Sequence, residues 1–177
     1  MEPLQSVNNA KLSRFCHRSP ASLSTMTIWI DGDACPKNIK QVMFRAANRT
    51  RISTLIVSNH PLNIPPSPFV KAIQVGAGFD MVDHYIVDHL KAGDLVITAD
   101  LPFAGDVVDK GAQALNPRGI LYTINNIKPL LAQRNSNEVL RGSGLIEGGP
   151  GALNARDIQR FSNLLDQWLQ KAILANK

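Results

Sequence analysis

The sequence predicts an α/β fold: a single three-layer domain with a mainly parallel sheet. Short β-branched apolar runs alternate with stretches of helical periodicity, an order that builds parallel strands through right-handed crossovers. A length of 177 residues with 44% hydrophobic content suits one core. Several aspartates fall just beyond the apolar runs, at the carboxyl ends of strands, where open α/β sheets hold their ligands.

The first run, Thr27 to Ile30, enters Asp31-Gly32-Asp33, and Pro36 then opens a helix at its first turn. That helix runs to Asn48, with Ile39, Val42, Met43 and Ala46 inward and Lys37, Lys40, Arg45 and Asn48 on or beside the other face. Ile52 to Val57 reads as a buried strand ending in Ser58-Asn59-His60-Pro61. Four prolines between Pro61 and Pro68 exclude helix and central strand and predict a rim loop. Ala72 to Val75 is a third strand.

From Asp80 to Leu90 the pattern is helical, with Val82, Tyr85, Ile86 and His89 on one side and Asp80, Asp83 and His84 on the other. Asp80 as an N-cap and Asp83 as a partner of the helix dipole are the structural alternatives. Leu95 to Thr98 is a strand with Asp100 just past it, and Pro102 permits a helix from Leu101 to Lys110 with Val107 and Val108 inward. Residues 114 to 119 form a short strand and turn, and Ile127 to Gln133 a helix. Five glycines make Gly142 to Gly151 a flexible loop. Asn154 and Asp157 suit a helix start, followed by an apolar stripe of Ile158, Phe161, Leu165, Trp168, Leu169 and Ala172. The tryptophan belongs to the core rather than to a stacking platform.

Residues 1 to 25 have no apolar periodicity, are rich in Ser and Asn, and are expected to be a disordered leader. A transit peptide or an over-called start ahead of Met26 are the other readings. No apolar run approaches the ~20 residues of a membrane span, so no membrane partner is expected. Cys16 and Cys35 lack a CxxC-type spacing, which points to neither a zinc site nor a disulfide framework and makes the cytoplasm the expected location.

The net charge of +5 is less informative than its distribution. Between Asp31 and Asp109 every acid is an aspartate, the residue of caps, turns and strand ends. From Arg118 onward basic residues prevail. An acidic centre within a basic surround suits a metal site acting on a phosphate-bearing substrate, and solvated faces would produce the same pattern. The expected arrangement brings Asp31, Asp33 and Asp100 together from strand ends and adds Asp80 and Asp83 from a helix start. Carboxylates so placed repel one another unless a cation stands between them. Oxygen donors without His or Cys clusters select Mg²⁺ or Mn²⁺. Lys37, Lys40 and Arg118 are the candidates for steering phosphate.

Two other readings start from the same residues. The strand followed by Asp31-Gly32-Asp33 resembles the nucleophile motif of haloacid-dehalogenase phosphatases, with Asp31 attacking phosphorus and Ser58 as the later hydroxyl. Cys35 departs from the Thr or Val usual there, and no lysine motif is well placed. Gly76-Ala77-Gly78 resembles part of a dinucleotide fingerprint, but Met81 occupies the third position.

The strings M-T-I-W-I-D-G-D-A-C-P (26 to 36), A-G-F-D (77 to 80), G-D-L-V-I-T-A-D-L-P (93 to 102), A-L-N-P-R-G (114 to 119) and G-G-P (148 to 150) closely resemble the bacterial YaiI/YqxD family. That family ordinarily begins at the position of Met26, which favours the over-called start. It is similar to the PIN-like nucleases, including the NYN group, whose sheet presents acids to Mg²⁺ or Mn²⁺ for RNA cleavage. The resemblance implies a PIN-like fold and a metal-dependent ribonuclease. It implies metal ligands at Asp31, Asp80, Asp83 and Asp100, with Asp33 a further catalytic candidate and Asp94 and Asp106 weaker counterparts. A non-catalytic RNA- or nucleotide-binding module is the alternative. Gly32 stands where the family more often has Ala, a change expected to leave the site unaltered.

Overall fold

Alternation along Ile28-Trp29-Ile30 sends neighbouring side chains to opposite faces of a strand, and the computed structural model shows both faces covered by helices. The structure describes residues 26–78, 80–143 and 151–175. The expected leader and most of the glycine-rich loop lie outside the described residues.

The elements in chain order are β1 (Ile28–Asp31), α1 (Lys37–Thr50), β2 (Thr54–Ser58), β3 (Val70–Gln74), α2 (Met81–His89), β4 (Leu95–Ile97), α3 (Leu101–Asp109), β5 (Gln113–Asn116), β6 (Ile120–Tyr122), α4 (Ile127–Gly142) and α5 (Ala155–Ala175). Six strands form one sheet in the order β3-β2-β1-β4-β5-β6, all parallel except β6. From β1 the chain winds outward through β2 and β3, then returns to place β4 on the other side of β1. The direction of winding therefore reverses between β1 and β4, which opens a crevice at their carboxyl ends.

Ile28, Ile30, Ile56 and Ile97 pack with Ile39 and Met43 of α1 and with Phe161, Leu165 and Trp168 of α5. Trp29, Val57 and Val96 pack on the other face with α2, α3 and the start of α4. Asp31 is two residues beyond Trp29, so the period of the strand aims its carboxylate toward α2 and α3. Trp168 is a core residue, 6% exposed, as its helical spacing implied.

Two elements differ from the sequence reading. β6 pairs antiparallel with β5 across a turn in which the Gly119 N–H donates to the Asn116 carbonyl at 2.8 Å. Gly119 has φ 75°, and a Cβ there would come within 2.5 Å of the Arg160 Cβ of α5, so both conformation and space require glycine. The helix expected to end at Gln133 continues to Gly142, although Ile127 is its only fully buried residue. An Arg134–Glu138 ion pair at 2.9 Å and a Ser136 hydroxyl bond to the Ala132 carbonyl supply local support.

At the amino end of the central strands, buried Asp94 accepts three hydrogen bonds: from the Thr27 N–H at 2.8 Å, Trp29 Nε1 at 3.0 Å and the Lys91 N–H at 3.1 Å. It joins β1 to β4 at the end of the sheet opposite the crevice and so takes no part in the site. Asp94→Asn presents an amide N–H₂ to donors and should lower unfolding free energy by about 2–4 kcal/mol in urea titration.

Candidate functional site

The crevice between β1 and β4 opens into a cleft of about 240 Å³ lined by Asp31, Asp33, Asn59, Asp80, Met81 and Asp83 among others. Asp31 is 5% exposed at its base. Its Oδ1 accepts from the Asp33 N–H at 3.2 Å and the Ala34 N–H at 3.1 Å, and its Oδ2 from the Thr98 hydroxyl at 3.1 Å. Burial raises the pKa of Asp31; these bonds oppose the rise and the charge of Asp33 adds to it. Thr98 also accepts from the Asp100 N–H at 3.0 Å. One hydroxyl thus joins the two strand-end aspartates. Sequence reasoning gave Thr98 no role, although a Thr two residues before a strand-end Asp is the signal for such a bond.

Asp100 caps α3, its Oδ1 accepting from the Phe103 N–H at 3.0 Å, while no hydrogen bond among the described residues reaches Oδ2. Asp80 precedes α2 with φ 56° and makes no side-chain cap. Its left-handed backbone is one that Asp tolerates better than most residues, at some cost. Asp83 lies in the first turn of the same helix. Burial first, then the charges of Asp31, Asp100, Asp80 and Asp106, push its pKa up to about 7. Four of the expected or alternate aspartates therefore act on Asp83.

Asp33 has a different task. Its Oδ2 accepts from the Asn59 N–H at 3.0 Å and its Oδ1 pairs with His60 Nδ1 at 3.1 Å, which clips the β1–α1 turn to the loop after β2. It nonetheless lines the cleft, and α1 begins after Pro36 without a side-chain cap. Arg118 bonds Asp157 at 3.2 Å and the Gly151 carbonyl, so its guanidinium braces the start of α5. Asp157 completes the foreseen cap by exchanging bonds with Asn154 at 3.1 and 2.9 Å. Its pKa is lowered by the Asn154 N–H and by Arg160 and Arg118. Lys40 Nζ donates to the Gly32 carbonyl at 2.5 Å, and Lys37 is exposed one turn before it. A Cβ on Gly32 would stand 2.7 Å from the Val57 carbonyl oxygen, so glycine lets β1 leave the sheet tightly against β2.

Among the described residues no three of His, Cys, Asp or Glu are gathered closely enough to hold a metal ion between them. Of the expected ligands Asp31, Asp80, Asp83 and Asp100, Asp31 turns toward Thr98 and the 33–34 backbone and Asp100 toward α3, which leaves an open cluster. The donor set still fits a hard cation that keeps most of its water, since Mg²⁺ is commonly bound through about one or two carboxylates. Asp80 and Asp83 offer such groups, and Asn59 Oδ1 is a buried amide oxygen without a partner among the described residues. Cys35 is excluded as a ligand: burial pushes its thiol up to about 12.

A family model described as "Uncharacterized BCR, YaiI/YqxD family" matches residues 29–171, and the chain belongs to that family. A UPF0178 protein of Shewanella sp. (strain MR-4) is 54% identical over 142 residues, covering 80% of this chain and 95% of the relative. One from Aeromonas hydrophila is 51% identical over 150 residues, 85% of this chain and all of the relative. One from Legionella pneumophila (strain Paris) is 52% identical over 147 residues, 83% of this chain and 99% of the relative. No solved structure matches the chain.

The proton on Asp83 gives the site a measurable signature. Its folded pKa of about 7 lies above the ordinary 3.8, so the folded state binds the extra proton and stability falls as pH rises through that window, levelling off above it. Asp83→Asn removes this slope. In urea unfolding with EDTA it should gain about 1–2 kcal/mol over the parent at pH 8, a figure discounted for a half-exposed carboxyl, and little at pH 4.

Proposed function

We propose that this member of the YaiI/YqxD family is a Mg²⁺- or Mn²⁺-dependent phosphodiesterase acting on RNA, with a PIN-like arrangement of acids. The observation that carries the reading is the half-buried Asp83 carboxyl, which lines the cleft with Asp31 and Asp80 at the reversal point of the sheet and feels the charges of Asp31, Asp100, Asp80 and Asp106. Such a concentration of like charge destabilises the protein alone and is relieved by a cation. Asp80 and Asp83 would hold it, with Asp31 and Asp100 adding negative charge from positions fixed by their own hydrogen bonds. When bound, the ion supplies charge neutralisation for a phosphate and acidifies water.

The competing readings fit the geometry less well. For a phosphatase nucleophile, Asp31 is too deeply set and already accepts bonds at both oxygens. Ser58, its hydroxyl partner in that scheme, is buried and donates to the His60 carbonyl at 2.5 Å. A dinucleotide phosphate at the start of α2 would meet Asp80 and Asp83. The open cluster and the structural bonds of Asp31 and Asp100 favour, as the second reading, a module that binds metal and RNA without turnover.

Manganese titration calorimetry and hydrolysis of a single-stranded RNA separate these. Wild-type protein should bind Mn²⁺ and cleave. An Asp83→Asn/Asp100→Asn variant should bind the ion at least about tenfold more weakly and lose at least about 100-fold in rate. Full activity in that variant sinks the assignment, and metal binding with no hydrolysis by the wild type selects the second reading.

A further inference from the structure

Parallel strands are ordinarily joined through a helix, yet residues 59–69 cross from β2 to β3 without one, because the prolines forbid it. The segment lies on the α1 side of the sheet, tied to it by a 2.6 Å bond from Ser67 Oγ to Asn48 Oδ1. Where a helix would pack, a groove of about 450 Å³ remains, within the ~300–1,000 Å³ of small-ligand sites. Phe44, Ile56, Leu62 and Ile64 give it a carbon floor, and Lys37 and Lys40 stand at its α1 wall. The proline-bearing wall has little backbone freedom to lose on binding.

The groove and the acidic cleft lie on opposite faces of the sheet and meet at its carboxyl edge. Gly32 is the partition: Asp31 and Asp33 on either side of it line the cleft. Lys40 holds its carbonyl from the groove side, and Leu62 Cδ1 is 3.0 Å from where its Cβ would be. Cation, apolar floor and acidic cleft thus follow one another over a single turn. Lys37 makes no ion pair among the described residues, and Lys40 keeps two N–H donors beyond its bond to Gly32.

We propose that this groove seats the base of the nucleotide next to the reacting phosphate, with Lys37 and Lys40 on the adjoining phosphate, so that the substrate is single-stranded nucleic acid. The assignment rests on the phosphodiesterase reading. Its support is complementarity: a partly exposed aromatic ring and aliphatic floor for a base, and two ammonium groups for phosphate oxygens, beside a cluster that repels an anion until a cation is bound. A paired base must first be unpaired and unstacked to enter such a floor, so a duplex is disfavoured.

Fluorescence anisotropy with a labelled oligonucleotide of about eight nucleotides tests this in Ca²⁺, single-stranded against duplex. The single strand should bind at least about tenfold more tightly; Phe44→Ala should weaken it about tenfold, and Lys37→Glu about tenfold with a smaller salt dependence. Lys37 is exposed, so its variant stays informative if loss of Phe44 disturbs packing. Equal affinity for duplex, or unchanged affinity in Lys37→Glu, overturns the proposal. So does binding of an acidic peptide or anionic vesicles, in place of the oligonucleotide, that Lys37→Glu abolishes. Failure of the phosphodiesterase reading shows separately, as wild-type protein that leaves every phosphodiester intact in Mn²⁺ while the oligonucleotide titration keeps its own outcome.

Discussion

The hydroxyl of Thr98 holds the centre of this molecule together. It donates to Asp31 at the end of β1 and accepts from the backbone of Asp100 beyond β4, bridging the two strands between which the winding of the sheet reverses. A carboxylate buried there is costly unless its lone pairs are occupied, and Asp31 receives three donors. The same bonds fix where the next residues go: Asp33 swings toward Asn59 and His60, and Gly32 passes close under the Val57 carbonyl. Asp94 shows the contrast at the other end of the strands. It also receives three donors, and no neighbouring acid is brought against it, so it is a joint and nothing more.

Much of this was legible because period and punctuation are local. Apolar runs before Asp31, Ser58 and Thr98 became β1, β2 and β4, and the stripe from Phe161 to Ala172 became the buried face of α5. The strand β6 escaped because three residues carry no period, although Pro117 and Gly119 spelled the turn before it. The second half of α4 escaped because its stability comes from pairs along its own surface rather than from an apolar face. For the site, position was readable and orientation was not. All five expected aspartates stand at the carboxyl edge of the sheet or at the helix starts beside it. Which oxygens remain free depends on bonds to Thr98, Asn59, His60 and Phe103, and those arise only after the chain folds. Arg118 illustrates the same limit: a cation beside an acidic centre invites a phosphate role until Asp157, 39 residues later, occupies it.

The absence of a helix between β2 and β3 gives the edge its asymmetry. Helices on both faces would bury the carboxyl ends of β1 and β2 evenly. Instead the prolines hold an extended wall away from α1, one side of Gly32 faces carbon and ammonium groups, and the other faces carboxylates. A residue with a Cβ at that position would push the turn from Val57 and Leu62 and change both surfaces together.

The acidic side of that edge is held in an unfavourable state by the rest of the fold. Helix α2 sets Asp83 half-buried within reach of the charges of four other acids, and Asp80, just ahead of the helix, adopts a left-handed backbone. The packing of that helix comes from Val82 and Ile86, with Tyr85 and Val87 beside them. Burial and those charges push the Asp83 pKa up to about 7. On the proposed reading a divalent ion would compete with the proton for this cluster and would stabilise the folded chain by mass action. A site built only to cap helices would have no reason to retain that competition: Asp100 caps α3 without help, and Asp80 caps nothing.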